Sequence, residues 1–112
     1  MISITLALVL MQASPPAAEP PPGLQFGFFR MAAFRQRAKD LGCNRGQQDA
    51  ELDILRKRLA ARYGKKAFDW PKIPNSGAGD CRSVEMVYRV NLADFRKEVD
   101  AALAVPVAVQ GE

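Results

Sequence analysis

Apolar side chains recur at helical spacing in three stretches of the chain, and residues 47–63 show the clearest pattern. Their apolar positions follow one another at intervals of three, four and four residues. The stripe consists of Leu52, Leu55, Leu59 and Tyr63. Such spacing predicts a helix with one buried face. Asn44 is a suitable N-cap, Gly64 is a suitable end, and Asp53 with Lys57 forms a favourable i,i+4 pair.

The second stretch, residues 24–41, predicts another amphipathic helix that ends at Gly42. Its apolar stripe consists of Leu24, Phe28, Met31, Ala38 and Leu41. The segment also carries a phenylalanine cluster, made up of Phe26, Phe28, Phe29 and Phe34. We expect these rings to lie in the core, because a small domain needs its aromatic side chains inside. The alternative is that the cluster, with Arg30 and Arg35, rests on a membrane surface.

The third stretch, residues 81–103, admits two interpretations. Alternation over residues 84–90 is compatible with a strand. A helical stripe covers the longer range, and it consists of Val84, Tyr88, Leu92, Phe95, Val99 and Leu103. The helix is favoured, because a strand here would have no obvious partner. Residues 67–81, rich in proline and glycine, are predicted to be a loop in which Trp70, Phe68 and Ile73 cover the helical core.

The amino-terminal segment resembles an export signal. Residues 2–11 are almost entirely apolar, too short to span a bilayer but of the length found in secretory signals. We therefore predict a signal peptide over residues 1–18, cut after Ala13 or Ala18. No lysine or arginine precedes the apolar run, which is atypical of a signal peptide. The alternatives are an uncleaved N-terminal anchor and a core helix of a cytoplasmic protein, and the prolines that follow the run argue against the core helix.

Proline dominates the residues that follow. Residues 14–23 are predicted to form an extended proline-rich linker. A helical domain is predicted over residues 24–104, with a flexible tail over residues 105–112.

The two cysteines allow a single intramolecular bridge. Cys43 and Cys81 are 38 residues apart and do not form a Cys-x-x-Cys redox motif. In an exported protein they are predicted to form a structural disulfide. The bridge would connect the end of the first helix to the start of the third. The predicted fold is therefore all-α, a small disulfide-linked three-helix bundle with antiparallel neighbours.

Composition disfavours catalysis. The chain of 112 residues contains no histidine, which removes the commonest general base and the commonest metal ligand. No phosphate loop, calcium loop or metal-ligand cluster is present in the sequence. We therefore predict no enzyme activity, no catalytic or metal site and no cofactor.

A basic segment is the remaining candidate for partner contact. Sixteen Lys and Arg against twelve Asp and Glu give a net charge of +4. The candidate contact residues are Arg56, Lys57, Arg58, Arg62, Lys65, Lys66, Trp70 and Lys72. The competing and favoured interpretation is the solvated end of a helix, where cations complement the helix dipole. Nucleic acid is a disfavoured partner, because the segment lacks interleaved aromatic residues.

One stretch resembles a known class of protein. In CNRGQQDAELDILRKRLAARY, residues 43–63, a cysteine precedes an acidic and leucine-rich helix that ends near a tyrosine. It resembles small secreted helical domains of the lysozyme-inhibitor type. The resemblance covers about a fifth of the chain, so we transfer neither function nor sites from it.

The sequence thus predicts a periplasmic or secreted helical protein that binds a protein or an anionic envelope component. Membrane association is expected only through residues 2–11. The first alternative is a structural envelope protein that retains these residues as an anchor and faces the same compartment. The second is a cytoplasmic, basic, nucleic-acid-binding protein.

Overall fold

The computed structural model describes residues 19–74 and 79–106. In this part of the chain there are three α-helices and one short 3-10 helix, and no strand. The helices are α1, Pro22–Asp40; α2, Gly46–Tyr63; and α3, Cys81–Leu103, with the 3-10 helix Lys66–Phe68 after α2. The predicted all-α three-helix fold is confirmed, and residues 84–90 are helical. The predicted signal peptide and most of the predicted tail lie outside the described residues.

Helix α1 begins at Pro22, two residues inside the segment predicted to be linker. Proline suits the first helical position, because its missing N–H has no partner within a helix there. The helix ends in a Schellman motif, in which Gly42 has φ of +71°. The N–H of Gly42 donates to the Lys39 carbonyl at 3.1 Å, and that of Cys43 to the Ala38 carbonyl at 2.8 Å. This turn fixes the position of Cys43 directly beyond the helix.

The other two helices differ in how their N-termini are capped. Arg45, not the predicted Asn44, occupies the N-cap position of α2; the Asn44 N–H instead donates to the Glu85 carboxylate at 3.0 Å. At the start of α3, the Asp80 carboxylate caps the helix by accepting from the Ser83 N–H at 2.9 Å. This hydrogen bond to its charged form lowers the pKa of Asp80.

The core lies between the three helices and under the 3-10 helix. Most members of the predicted stripes are buried, Leu41 and Leu103 are half-buried, and the core also includes Ala32 and Phe68, which no stripe contained. The central cluster consists of Leu24, Phe28, Met31, Leu52, Leu55, Leu59, Tyr63, Phe68, Tyr88, Leu92, Phe95 and Val99. Trp70 is half-buried and packs against Phe28, with ring centroids 5.3 Å apart. The prediction that the loop after α2 covers the core therefore holds for these aromatic side chains.

Helices α1 and α3 pack closely and run antiparallel. Near the start of α1, Gly27 faces Phe95, and a Cβ atom at Gly27 would lie 2.9 Å from Cδ1 of that ring. Near the end of α1, Phe34 lies beside Val84 and Val87, close to the start of α3. The glycine thus allows the two helices to approach one another where the aromatic ring lies between them.

The predicted disulfide is present. Cys43 and Cys81 are joined with their Cα atoms 5.3 Å apart, which is within the ordinary range for a bridge. The bond connects the turn after α1 to the first residue of α3. Helix α2 and the loop carrying Trp70 therefore lie within the covalently closed ring.

Candidate functional site

Most of the predicted basic contact residues take part in intramolecular interactions. Arg56 and Lys57 both contact the Asp53 carboxylate at 3.1 Å, which confirms the predicted Asp53–Lys57 pair. Hydrogen bonds, from Lys57 first and then from Arg56, lower the pKa of Asp53. These two cations are therefore partly neutralised on the surface of their own helix.

Two further arginines connect α2 to the end of α3. Arg58 contacts the Asp100 carboxylate at 2.8 Å. Arg62 donates to the carbonyl of Leu103 at 3.0 Å and to that of Val105 at 2.9 Å. Because the last carbonyls of a helix have no partner within the helix, the bond from Arg62 to Leu103 satisfies an acceptor at the end of α3, and the bond to Val105 fixes the chain just beyond it. These arginines contribute to the packing of the bundle.

The tryptophan of the predicted contact set is also occupied. Two guanidinium groups contact the Trp70 ring, with Cζ of Arg35 at 4.4 Å and Cζ of Arg56 at 5.2 Å from the ring centroid. Both distances are within the range of a cation–π interaction. Five members of the predicted set are exposed to solvent, namely Lys57, Arg58, Lys65, Lys66 and Lys72. Lys57 and Arg58 are paired with carboxylates, so the exposed members without an ion pair among the described residues are the three other lysines.

A polar network connects all three helices near the start of α2. The Asp49 carboxylate accepts a hydrogen bond from the Tyr88 hydroxyl at 2.9 Å and forms ion pairs with Arg45 and, at 3.8 Å, with Nε of Arg35. Burial raises the pKa of Tyr88, and the neighbouring Asp49 carboxylate raises it further. The tyrosine therefore remains a neutral hydrogen-bond donor at any physiological pH. This arrangement orients side chains but contains no activated nucleophile.

Metal-binding chemistry is not apparent in the described part of the chain. Among residues 19–74 and 79–106, no group of three or more carboxylate or cysteine side chains lies close enough to hold an ion. The predictions that the protein has no cofactor and no enzyme activity stay predictions.

The expectation that the four phenylalanines lie in the core is wrong for two of them. Phe28 is 3% exposed, but Phe26 is 75% and Phe29 51% exposed. A single helix face can be buried against the bundle, and at 100° per residue Phe26 and Phe29 lie on the opposite side from the core stripe. The spacing of the stripe already excluded both positions, so the sequence contained the signal that would have placed them outside.

Phe26 and Phe29 lie together with Pro22 on the solvent side of α1, and we call this surface the α1 outer face. The three residues, with Gln25, line a shallow and mainly apolar depression. Positions separated by three and four residues are neighbours on a helix, so the proline and the two rings form one continuous surface. Neither Phe26 nor Phe29 belongs to the core cluster of the described residues.

Charged and polar groups border the α1 outer face. Arg30 is exposed one turn beyond Phe26 and lines a groove between α1 and α3. Across that groove, α3 presents Asp94 and Glu98. Arg37 is exposed further along α1. The apolar surface therefore has cations on one of its sides.

A second group of exposed apolar side chains lies on α3. Met86 is 51%, Val87 41% and Val90 55% exposed. Their exposure is comparable to that of Phe29, although none is aromatic. They provide a matched set for comparison with the α1 outer face.

The comparisons with known proteins identify no relative. No protein-family model, no curated protein and no solved structure matches this chain. The resemblance of residues 43–63 to helical domains of the lysozyme-inhibitor type therefore gains no support. Among the helices of the described residues, none is sufficiently long and apolar to cross a membrane.

Proposed function

We propose that this chain is a small exported protein, periplasmic or secreted, that binds a protein or an envelope component and has no catalytic activity. The observation that carries the proposal is the exposure of Phe26 and Phe29, at 75% and 51%, on a helix that is otherwise anchored in the core. Aromatic side chains such as these are enriched on surfaces that another molecule covers.

The cysteine pair supports the choice of compartment. A bridge between Cys43 and Cys81 is consistent with an oxidising environment, because reducing systems in the cytosol keep thiols in their reduced form. The predicted signal peptide over residues 1–18 indicates the same destination. The basic segment supports the nucleic-acid alternative less, because Arg58 and Arg62 interact with groups of α3.

Cell fractionation tests the proposal in the cells that produce the protein. The variants are Phe26→Ser with Phe29→Ser, and a control carrying Met86→Ser with Val90→Ser, which removes exposed apolar side chains from α3 instead. We expect the wild type and the control in the exported compartment and partly retained on the envelope. The phenylalanine variant should be exported normally and recovered in the soluble exported fraction.

Two results would contradict the proposal. Recovery of the wild type in the cytosol would exclude an exported function. Recovery of the wild type as a free monomer, indistinguishable in its distribution from the phenylalanine variant, would show that the α1 outer face binds nothing in that compartment.

A further inference from the structure

We propose that the α1 outer face binds the surface of an anionic lipid bilayer. The inference rests on the proposed function, because it names the envelope component that an exported protein of this shape would contact. It departs from the prediction that only residues 2–11 associate with a membrane, because it adds a second contact on α1.

The geometry of α1 is that of a helix lying in a membrane interface. Pro22, Phe26 and Phe29 point to one side, while Leu24, Phe28 and Met31 are buried in the bundle on the other. Apolar side chains on one face, bordered by cations, characterise interfacial helices. Because the bundle already holds α1 in its helical form, membrane binding requires no folding of this segment.

Charge on α1 complements an anionic surface. The helix contains four basic residues and a single acidic one, Asp40, at its last position. Arg35 is used internally, on Asp49 and Trp70. Arg30 and Arg37 are exposed, and among the described residues neither has a carboxylate within ion-pair distance.

The nearby acidic residues reduce the electrostatic contribution to membrane binding relative to the apolar one. Asp94 and Glu98 line the same groove as Arg30 and would weaken its attraction to anionic headgroups. The larger part of the affinity must therefore come from burial of the two phenylalanine rings. The cations then determine the preference for anionic over neutral lipid.

The area of the surface disfavours a second copy of the chain as the occupant. A phenylalanine side chain contributes roughly 200 Å², so the exposed portions of Phe26 and Phe29 amount to roughly 250 Å² together. A stable protein–protein interface buries about 800 Å² on each partner. Two rings inserted between lipid headgroups need no comparable area, because the bilayer adapts to the inserted side chains.

The position of α1 in the chain is consistent with this orientation. It is the first helix after the apolar residues 2–11, and residues 12–21 separate the two. Ten residues of chain therefore separate α1 from the segment predicted to engage the membrane during export.

Vesicle sedimentation tests the inference with the protein purified in its natural, oxidised form. The probes are vesicles of phosphatidylcholine alone and of phosphatidylcholine mixed with phosphatidylglycerol. We expect the wild type to sediment with the anionic vesicles and to bind the neutral ones more weakly. Phe26→Ser with Phe29→Ser should weaken binding to the anionic vesicles by at least about tenfold, since the apolar contact is lost.

Two further variants separate the contributions. Met86→Ser with Val90→Ser removes exposed apolar side chains from α3, and it should bind within about twofold of the wild type, since these side chains lie outside the proposed contact. Arg30→Gln with Arg37→Gln should reduce binding to anionic vesicles and leave the weak neutral binding unchanged. Circular dichroism melts verify that each variant is folded; if the double phenylalanine variant is not, Phe26→Ser alone takes its place.

Several outcomes would overturn the inference. These are no binding of the wild type to either vesicle, equal binding to both, and equal binding by the wild type and the phenylalanine variant. A concentration-dependent dimer that the phenylalanine variant abolishes, without vesicle binding, would assign the face to a second copy. The proposed function fails differently, by recovery of the protein in the cytosol, whatever the vesicles show.

Discussion

Removal of the disulfide is the perturbation with the largest calculable effect on stability. In the variant Cys43→Ser with Cys81→Ser, the side chains retain nearly the same volume, and both positions are only half-buried. The loss of packing is therefore small. The main effect is on the unfolded chain, which gains conformational freedom when the ring is opened.

The magnitude follows from the size of the ring. The sequence separation of 38 residues gives a stabilisation of about 4 kcal/mol in the chain-entropy relation. A domain of this size has a free energy of unfolding of roughly 5–10 kcal/mol, so the variant should retain between about a fifth and about three fifths of its stability. In a small domain this corresponds to a decrease in Tm of roughly 15–30 °C.

Urea unfolding followed by far-ultraviolet circular dichroism measures this difference. The oxidised wild type, the wild type in reducing agent and the double serine variant are compared at one temperature. We expect the last two to coincide and to unfold at clearly lower urea than the oxidised protein. Reducing agent should not affect the serine variant, which makes it the control for side effects of the reagent.

A small difference would refute the reasoning. If the oxidised and serine forms differed by less than about 1 kcal/mol, the unfolded state would already be restricted without the bond, contrary to the entropic account. A serine variant that is destabilised while the reduced wild type is not would show that the effect comes from the substituted side chains.

Two further predictions concern contacts between the helices. In thermal melts, Gly27→Ala should lower the free energy of unfolding by up to about 2 kcal/mol, because overlap with Phe95 outweighs the gain in helix propensity. The control is Gly23→Ala, where the added methyl group meets open space, and it should be neutral or slightly stabilising. Equal stability of the two variants would contradict the packing argument. Tyr88→Phe should cost about 1–3 kcal/mol at neutral pH, since the hydroxyl donates to the charged Asp49. Because the folded-state pKa of Tyr88 is raised, its contribution is complete below pH of about 10 and is lost at higher pH. Urea unfolding at neutral and alkaline pH should therefore show the difference between wild type and variant shrink, and a constant difference would be contrary to this assignment.

The fold could be predicted from the sequence because its information is local and periodic. The stripe from Leu52 to Tyr63 specifies one buried face, and the longer stripe of α3 decides between helix and strand over residues 84–90. The bridge followed from the predicted export together with there being only two cysteines. The helix assignments need only the spacing of apolar residues within one segment.

The candidate surface could be predicted only in part, because it depends on contacts between segments. Arg58 and Arg62 contact groups more than forty residues away, so the sequence could not show that they were engaged. Phe26 and Phe29 were expected in the core because small domains bury their aromatic side chains. The helical period that placed Phe28 inside required both to lie outside, and this period outweighs the general preference of the residue type.

Non-reducing mass spectrometry of the protein isolated from its own cells tests the central claim most directly. Free thiols are alkylated before lysis, and the intact mass is then measured. We predict a chain that lacks the first 13 or 18 residues, has Cys43 and Cys81 joined and carries no alkyl group. A full-length chain with both cysteines alkylated would contradict the account.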